Sequence, residues 1–251
     1  MRIHLKLSFY LGLLQQTRPY AIGSKVLNAL DSFLVPDLCF GCKVQLYRGE
    51  NFLCAFCRND MPLTELGMYF GTPISCLFSE HSPKIGAFAL CYFEPEGIMQ
   101  KLIHQLKYQG KQAIGDWFGT WCGNELLKQE GLPKFDWVLP VPLHPKRQRK
   151  RGYNQCNLFG KRIAGCIGST YTERILIRHV FQTTQTTKDR TSRLANIRGA
   201  FTVVHPELLE NKRVLLIDDV ITTGATLNAC CEALSDIPGI RISIAAMAVV
   251  P

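Results

Sequence analysis

The chain of 251 residues carries 29 Lys+Arg against 20 Asp+Glu, a formal net charge of +9, with 47% hydrophobic and 20% charged residues. That balance supplies apolar surface for a buried core and excludes a disordered chain, a coiled coil and a polyelectrolyte. No apolar run approaches the roughly 18–20 residues that cross a bilayer, and the surplus of cations favours anionic partners: phosphates, nucleic acid or an acidic surface.

The first residues, MRIHLKLSFYLGLL, set Arg2 and Lys6 ahead of an apolar patch, as a signal peptide does. The patch is short, and Gln15, Gln16 and Arg18 follow it without a small-residue cleavage site, so residues 1–32 read as an N-terminal extension. VLNALDSFLV, residues 26–35, predicts the first ordered helix.

Residues 39–57 read CFGCKVQLYRGENFLCAFC. Cys39 and Cys42 form one CxxC pair and Cys54 and Cys57 a second, with 11 residues between them. A CxxC turn aims two thiolates at one point, and two such knuckles complete a tetrahedral sulfur shell, for which zinc is the usual ion. Gly41 is expected to take a positive φ in the first knuckle, and KVQLYRGENFL to form a small hairpin turning at Arg48-Gly49-Glu50-Asn51. Two disulfides, a redox dithiol and an iron–sulfur cluster are the rival uses of these thiols. A thioredoxin-like dithiol has one CxxC beside a βαβ unit rather than two pairs in 19 residues. Four protein ligands leave no open position for catalysis, so the ion's role is to fold a module, over 33–65, too small to have its own core. The other seven cysteines (Cys76, Cys91, Cys122, Cys156, Cys166, Cys230 and Cys231) lie mostly among Leu, Ile, Ala and Gly and read as small buried hydrophobes. Together with the odd total of 11, they imply a reducing compartment.

Beyond the cysteines the pattern predicts helices over 96–109 and 113–129 and a strand over 136–141. Next comes PVPLHPKRQRKRGYNQ, in which Lys146, Arg147, Arg149, Lys150 and Arg151 put five cations in six positions. A loop so charged, after a strand and before a helix over 153–166, suits pyrophosphate or a nucleic-acid backbone. The plainer alternative is a solvated charge run. A strand over 174–178 precedes QTTQTTKDRTSRLANIRGAF at 182–201, where Lys188, Arg190, Arg193 and Arg198 face only Asp189. That stretch reads either as a mobile flap over a site or as an ordinary surface loop.

VLLIDDVITTGAT, residues 214–226, follows. Its apolar run predicts a buried parallel strand over 213–218, ended by Asp218 and Asp219. Thr222, Thr223, Gly224, Ala225 and Thr226 then open a helix over 224–236, and a strand over 240–249 closes the pattern. The loop N–H groups, the Thr hydroxyls and the helix dipole can wrap a phosphate, with Gly224 allowing close backbone approach. Two carboxylates repel a bare polyphosphate but accept sugar hydroxyls well, or bind Mg²⁺. Phosphate in the loop and a diol on the carboxylates describe a 5-phosphoribosyl group. The alternation of helix and strand predicts an α/β domain with a mostly parallel sheet over 85–251.

Residues 214–226 resemble, at all 13 positions, the PRPP-binding signature of type I phosphoribosyltransferases. The resemblance implies that Asp218 and Asp219 hold the ribose hydroxyls and that residues 222–226 hold the 5′-phosphate. Several purine salvage members carry Asp where this chain has Thr222, which argues against purine salvage. The double CxxC, PVPLHPKRQRKRGYNQ, QTTKDRTSRLANIRGAF and the signature, in that order and with LIHQLKYQGK at 102–111, together resemble the ComF family, also called GntX or competence protein F. This covers about 33–251 and implies a cytosolic protein with a zinc ribbon on a type I phosphoribosyltransferase fold. It further implies a link to DNA uptake, natural transformation or recombination on single-stranded DNA, with helicase and other DNA-processing partners. Many members carry a second cysteine cluster. Here only Cys76 and Cys91 fall in that region, so one zinc ion is expected.

Two activities follow. In the first, the protein binds a PRPP-type ligand in the service of DNA handling. Its cations at 146–151 and 188–198 then track a single strand, and Tyr153 or Phe159 stacks on bases. In the second, it is an active, Mg²⁺-dependent phosphoribosyltransferase of nucleotide metabolism, with Lys146, Arg147 and Arg151 on the leaving pyrophosphate. No residue stands out as the general base for an acceptor.

Overall fold

The computed structural model describes residues 37–64, 72–78, 85–179 and 199–251, which fall into two compact units divided between Arg58 and Asn59. The extension, the helix expected over 26–35 and the cations Lys188, Arg190 and Arg193 lie outside the described residues.

The first unit is small and nearly strandless. An isolated antiparallel bridge joins Leu38 to Gln45, and a second joins Asn51 to Leu53. The turn between them places Gly49 at φ 96° and lets the Glu50 amide donate to the Tyr47 carbonyl at 3.0 Å. The Glu50 carboxylate accepts from the amides of Tyr47 at 2.8 Å and Ala55 at 2.7 Å, tying the hairpin to α1 (Ala55–Asn59). The buried side chains here are Leu53 and three of the four cysteines, Cys39, Cys54 and Cys57, with Gly41 buried among them. Tyr47 and Phe56 stand out into solvent.

The second unit is built on a five-stranded sheet in the order β1-β7-β6-β2-β3, every pairing parallel. The strands are β1 (Gly86–Tyr92), β2 (Trp137–Pro140), β3 (Thr170–Tyr171), β6 (Arg213–Ile221) and β7 (Arg241–Val249). Between them run α2 (Pro73–Cys76), α3 (Ile98–Tyr108), α4 (Ala113–Leu127), α5 (Pro145–Arg151), α6 (Cys156–Ile167) and α7 (Ala225–Ser235). Alternate residues of β6 serve opposite faces, and all four of Val214 to Ile217 are fully buried, as a central parallel strand requires. Val214 and Leu216 join Leu227, Cys230, Cys231 and Leu234 of α7 in one core layer. On the other face Ile217 meets α6 at Gly160, where a Cβ would come within 2.3 Å of the Ile217 Cδ1. α4 closes on α6 as tightly: a Cβ on Gly119 would lie 2.6 Å from the Phe159 carbonyl oxygen. Asp116 and Arg162 seal that seam with two bonds of 2.8 and 2.9 Å.

The expected helices and strands of this unit are present, α2 and β3 are additional to them, and the other differences are these. β1, which pairs with β7 from Gly86↔Ser243 to Tyr92↔Val249, lies ahead of the predicted pattern. The strand at Leu176–Arg178 (β4) leaves the main sheet and pairs antiparallel with β5 (Phe201–Val203). The cationic run is the helix α5 rather than a loop. His144 caps it by accepting the Lys146 amide on Nδ1 at 3.2 Å, Pro145 starts it, and Gly152 at φ 78° ends it. Finally, Asp218 and Asp219 sit within β6, not after it, because pairing with β7 continues through Ile221↔Val249.

Candidate functional site

The four cysteine sulfurs of the first unit lie within 4.8 Å of one another. Cys42 Sγ and Cys54 Sγ are 3.7 Å apart, against about 3.8 Å for the edge of a tetrahedron with metal–sulfur bonds of about 2.3 Å. The Cys54 amide points at Cys39 Sγ (3.4 Å) and the Cys57 amide at Cys54 Sγ (3.5 Å). Burial raises the Cys39 thiol, but the amides of Cys42, Cys54 and Gly41 outweigh it and bring the thiol down to about 6. All eleven cysteines are free thiols, so the donor set and spacing fit a tetrahedral thiolate metal site such as zinc. The role expected of Gly41 is corrected: the left-handed residue of the first knuckle is Lys43, at φ 66°. Gly41 is required for space, since a Cβ there would sit 2.8 Å from Cys57 Sγ.

In the second unit the loop 222–226 runs from the end of β6 into α7, with Gly224 at φ 72° as the residue before the helix. Thr222 and Thr223 are exposed, and Thr223 Oγ1 accepts the Ala225 amide at 3.4 Å. The first amides of α7 lack helical partners and lie at the positive end of the helix dipole, where an anion can bind. Gly224 is also short of room: a Cβ would lie 3.3 Å from Phe78, and Asn228 of α7 donates to the Leu77 carbonyl at 2.9 Å. The residues that follow α2 thus back the loop.

Asp219 is almost fully buried, and its Oδ2 pairs with Lys107 Nζ of α3 at 2.8 Å. Asp218 is half-buried. Its Oδ1 accepts from the Asp219 amide at 2.8 Å and faces the buried Cys156 thiol at 3.8 Å. Burial first, and the Asp219 charge second, push the Asp218 carboxyl up to about 7, although the Asp219 amide and Lys107 pull it back.

Because β2 and β6 are parallel neighbours, the chain leaving each reaches the same edge of the sheet, and α5 follows β2 there. Arg147, Lys150 and Arg151 of α5 line a cavity of about 420 Å³ with Lys107, Tyr108 and Tyr153. Arg151 lies over the Tyr108 ring at 5.2 Å and donates to Gln155 Oε1 at 2.8 Å. The Tyr153 hydroxyl donates to the Leu106 carbonyl. Lys146 is exposed and outside this lining. Phe159 is completely buried and cannot stack on a base, whereas Tyr153 is partly accessible. Asn154 ties the end of β2 to the start of α6, donating to the Val141 carbonyl at 3.0 Å and accepting the Cys156 amide at 3.0 Å.

Three contributors were not singled out from the residue pattern. Lys107 was identifiable as a Lys one turn after the buried Ile103, on the apolar side of α3. Tyr108 follows it. Arg178 of β4 is half-buried over the Phe201 ring at 5.2 Å, and burial followed by the Arg147 charge lowers its guanidinium. No short-range pattern marks it, because the fold alone brings β4 near α5.

Residues 174–249 match the family of the phosphoribosyl transferase domain. Competence protein F of Haemophilus influenzae is 28% identical over 208 residues, 78% of this chain and 90% of that protein. The DNA utilization protein YhgH of Salmonella typhi is 26% identical over 209 residues, 80% of this chain and 91% of that protein. Competence protein ComFC of Streptococcus pneumoniae is 25% identical over 210 residues, 79% of this chain and 88% of that protein. No described helix is long and apolar enough to cross a membrane. With a four-cysteine cluster preceding a parallel α/β sheet of type I phosphoribosyltransferase fold, the chain is a homologue of the competence protein F and YhgH proteins.

Proposed function

We propose that the protein binds a PRPP-type phosphoribosyl ligand and acts in DNA uptake, natural transformation or recombination on single-stranded DNA. One observation carries the ligand reading: a carboxylate pair, an anion seat at a helix start and a cationic cavity share one edge of a parallel sheet, and Lys107 bridges the acids to the cavity. Asp218 and Asp219 accept the ribose hydroxyls, residues 222–226 hold the 5′-phosphate, and Arg147 and Arg151, aided by Lys146, meet the pyrophosphate. Mg²⁺ enters with the ligand as its counter-ion. Lys188, Arg190 and Arg193, which follow β4 in the chain and lie outside the described residues, are proposed to supply further cations to the ligand.

The DNA role is supported by the names of the relatives, which are competence and DNA utilization proteins. The cations of α5, with Tyr108 and Tyr153 beside them, suit a single-stranded backbone and its bases. One structural zinc ion on Cys39, Cys42, Cys54 and Cys57 folds the module at 33–65, ahead of the domain at 85–251. DNA-processing proteins such as a helicase are the proposed partners and the cytoplasm the proposed location.

Calorimetric titration of zinc-loaded protein with PRPP and Mg²⁺ tests the ligand. Saturable binding is expected for the wild type and none for Asp218→Asn/Asp219→Asn. A folded wild type that does not bind PRPP overturns the reading. In the same preparation, release of pyrophosphate on adding an acceptor would identify an active phosphoribosyltransferase rather than a binding protein.

A further inference from the structure

We propose that Lys107 determines which ligands the ribose carboxylates accept. It holds Asp219 in the ligand-free protein and gives it up only to a ribose whose own anion enters the neighbouring cavity. This rests on the phosphoribosyl reading above and adds a selection rule to it.

The geometry gives Lys107 two possible partners. Its ammonium lies 2.8 Å from Asp219 Oδ2, with the Lys107 side chain 21% and the Asp219 side chain 6% exposed. The same side chain lines the cavity with Arg147, Lys150 and Arg151. With that cavity free of anions, three neighbouring cations repel the ammonium and the carboxylate attracts it, so the ion pair with Asp219 is the preferred state. A ribose without an anionic partner group must then break an ion pair to a buried acid, which leaves a charge uncompensated and is costly. A ligand that also carries an anion offers Lys107 a replacement partner. Its ammonium has three donors and can turn toward the cavity. Asp219 is then free to accept hydroxyls. Occupancy of the cavity and occupancy of the ribose site thereby favour one another, and linkage makes this reciprocal. Simple sugar phosphates, abundant competitors of the same shape, bind weakly by the same rule.

The test is calorimetry of ribose 5-phosphate binding in Mg²⁺, with and without saturating inorganic pyrophosphate. In the wild type, pyrophosphate is expected to tighten ribose 5-phosphate by about tenfold, an ordinary size for coupling between sites. In Lys107→Met the coupling falls below about twofold. Lys107→Arg, which keeps the charge, restores the coupling. Thermal melting confirms that the variants fold. Should the Met variant not fold, Lys107→Gln, which keeps a donor for Asp219, is expected to show the same loss. Ribose 5-phosphate binding that pyrophosphate leaves unchanged or weakens in the wild type, or coupling that survives in Lys107→Met and Lys107→Gln, overturns the role of Lys107 and leaves the phosphoribosyl site standing. No binding of ribose 5-phosphate or PRPP to the wild type overturns both.

Discussion

The two units hold themselves together by opposite means. The α/β unit buries a continuous apolar layer on one face of its sheet, from Leu139 and Leu216 to Leu234 and Ile244, and packs Ile217 against α6 on the other. The cysteine unit buries Leu53 and three of its four cysteines, and leaves Tyr47 and Phe56 outside. Hydrophobic burial is a property of the chain alone, whereas a sulfur cluster needs an ion to become a net gain. On the proposed zinc reading, one polypeptide carries a unit whose stability is set by its own side chains beside one whose stability is set by metal supply.

The largest effect expected is on the cysteine unit. Metal removal by a strong chelator, or Cys54→Ser, should unfold residues 37–58 outright, since structural zinc supplies ~10–16 kcal/mol to comparable small modules. Amide NMR spectra of the full chain should lose dispersion for that unit only, and simultaneous collapse of the α/β signals would break the comparison. A smaller effect is expected from the opposite side. Leu216 is fully buried in the central strand, and Leu216→Ala should cost about 2–5 kcal/mol in urea unfolding of the α/β unit while leaving zinc content unchanged. The smallest effect sharpens the comparison at the ligand site. The Asp218 carboxyl, raised from 3.8 to about 7, must be ionised to accept hydroxyls. PRPP affinity should therefore be full above about pH 8 and fall up to about tenfold per pH unit below 7. The share of stability that Asp218 contributes runs the other way. A raised carboxyl favours the folded state below its unfolded value and loses that contribution as pH rises toward 7. Asp218→Asn should raise the melting temperature at pH 8 while removing ligand binding; an unchanged or lower melting temperature would show that the carboxylate is not strained.

Much of this was legible in the residue pattern, for identifiable reasons. The four cysteines announce themselves by spacing, and β6, the anion loop and α7 by an apolar run, small residues and a helical period in sequence. What was missed depends on partners far along the chain. β6 runs on through two aspartates because β7 supplies Ala246, Ala248 and Val249 as neighbours, a tertiary gain that outweighs the poor strand propensity of Asp. The helix α5 was hidden by its own charge, although His144 and Pro145 are the start signals one would look for. Lys107 meets Asp219 only after the sheet is assembled, so motif spacing alone cannot pair them. Gly41 was identified as special, but for its backbone angle rather than for the sulfur it must clear.

The strand order has a consequence for how the protein is made. The two strands that occupy the middle of the sheet, β6 and β7, are the last two of the described chain, while β1 and β2 are made early and flank them. Gly86 waits for Ser243 before it has any neighbour in the sheet, and Trp137, with Thr170 of β3 on one side, waits for Val214 on the other. During synthesis the early strands therefore emerge with bare edges and apolar faces, and the sheet closes only when residues 213–249 have left the ribosome. The cysteine unit has no such wait: its ligands are complete at Cys57, so with metal at hand it is finished while most of its companion is still untranslated.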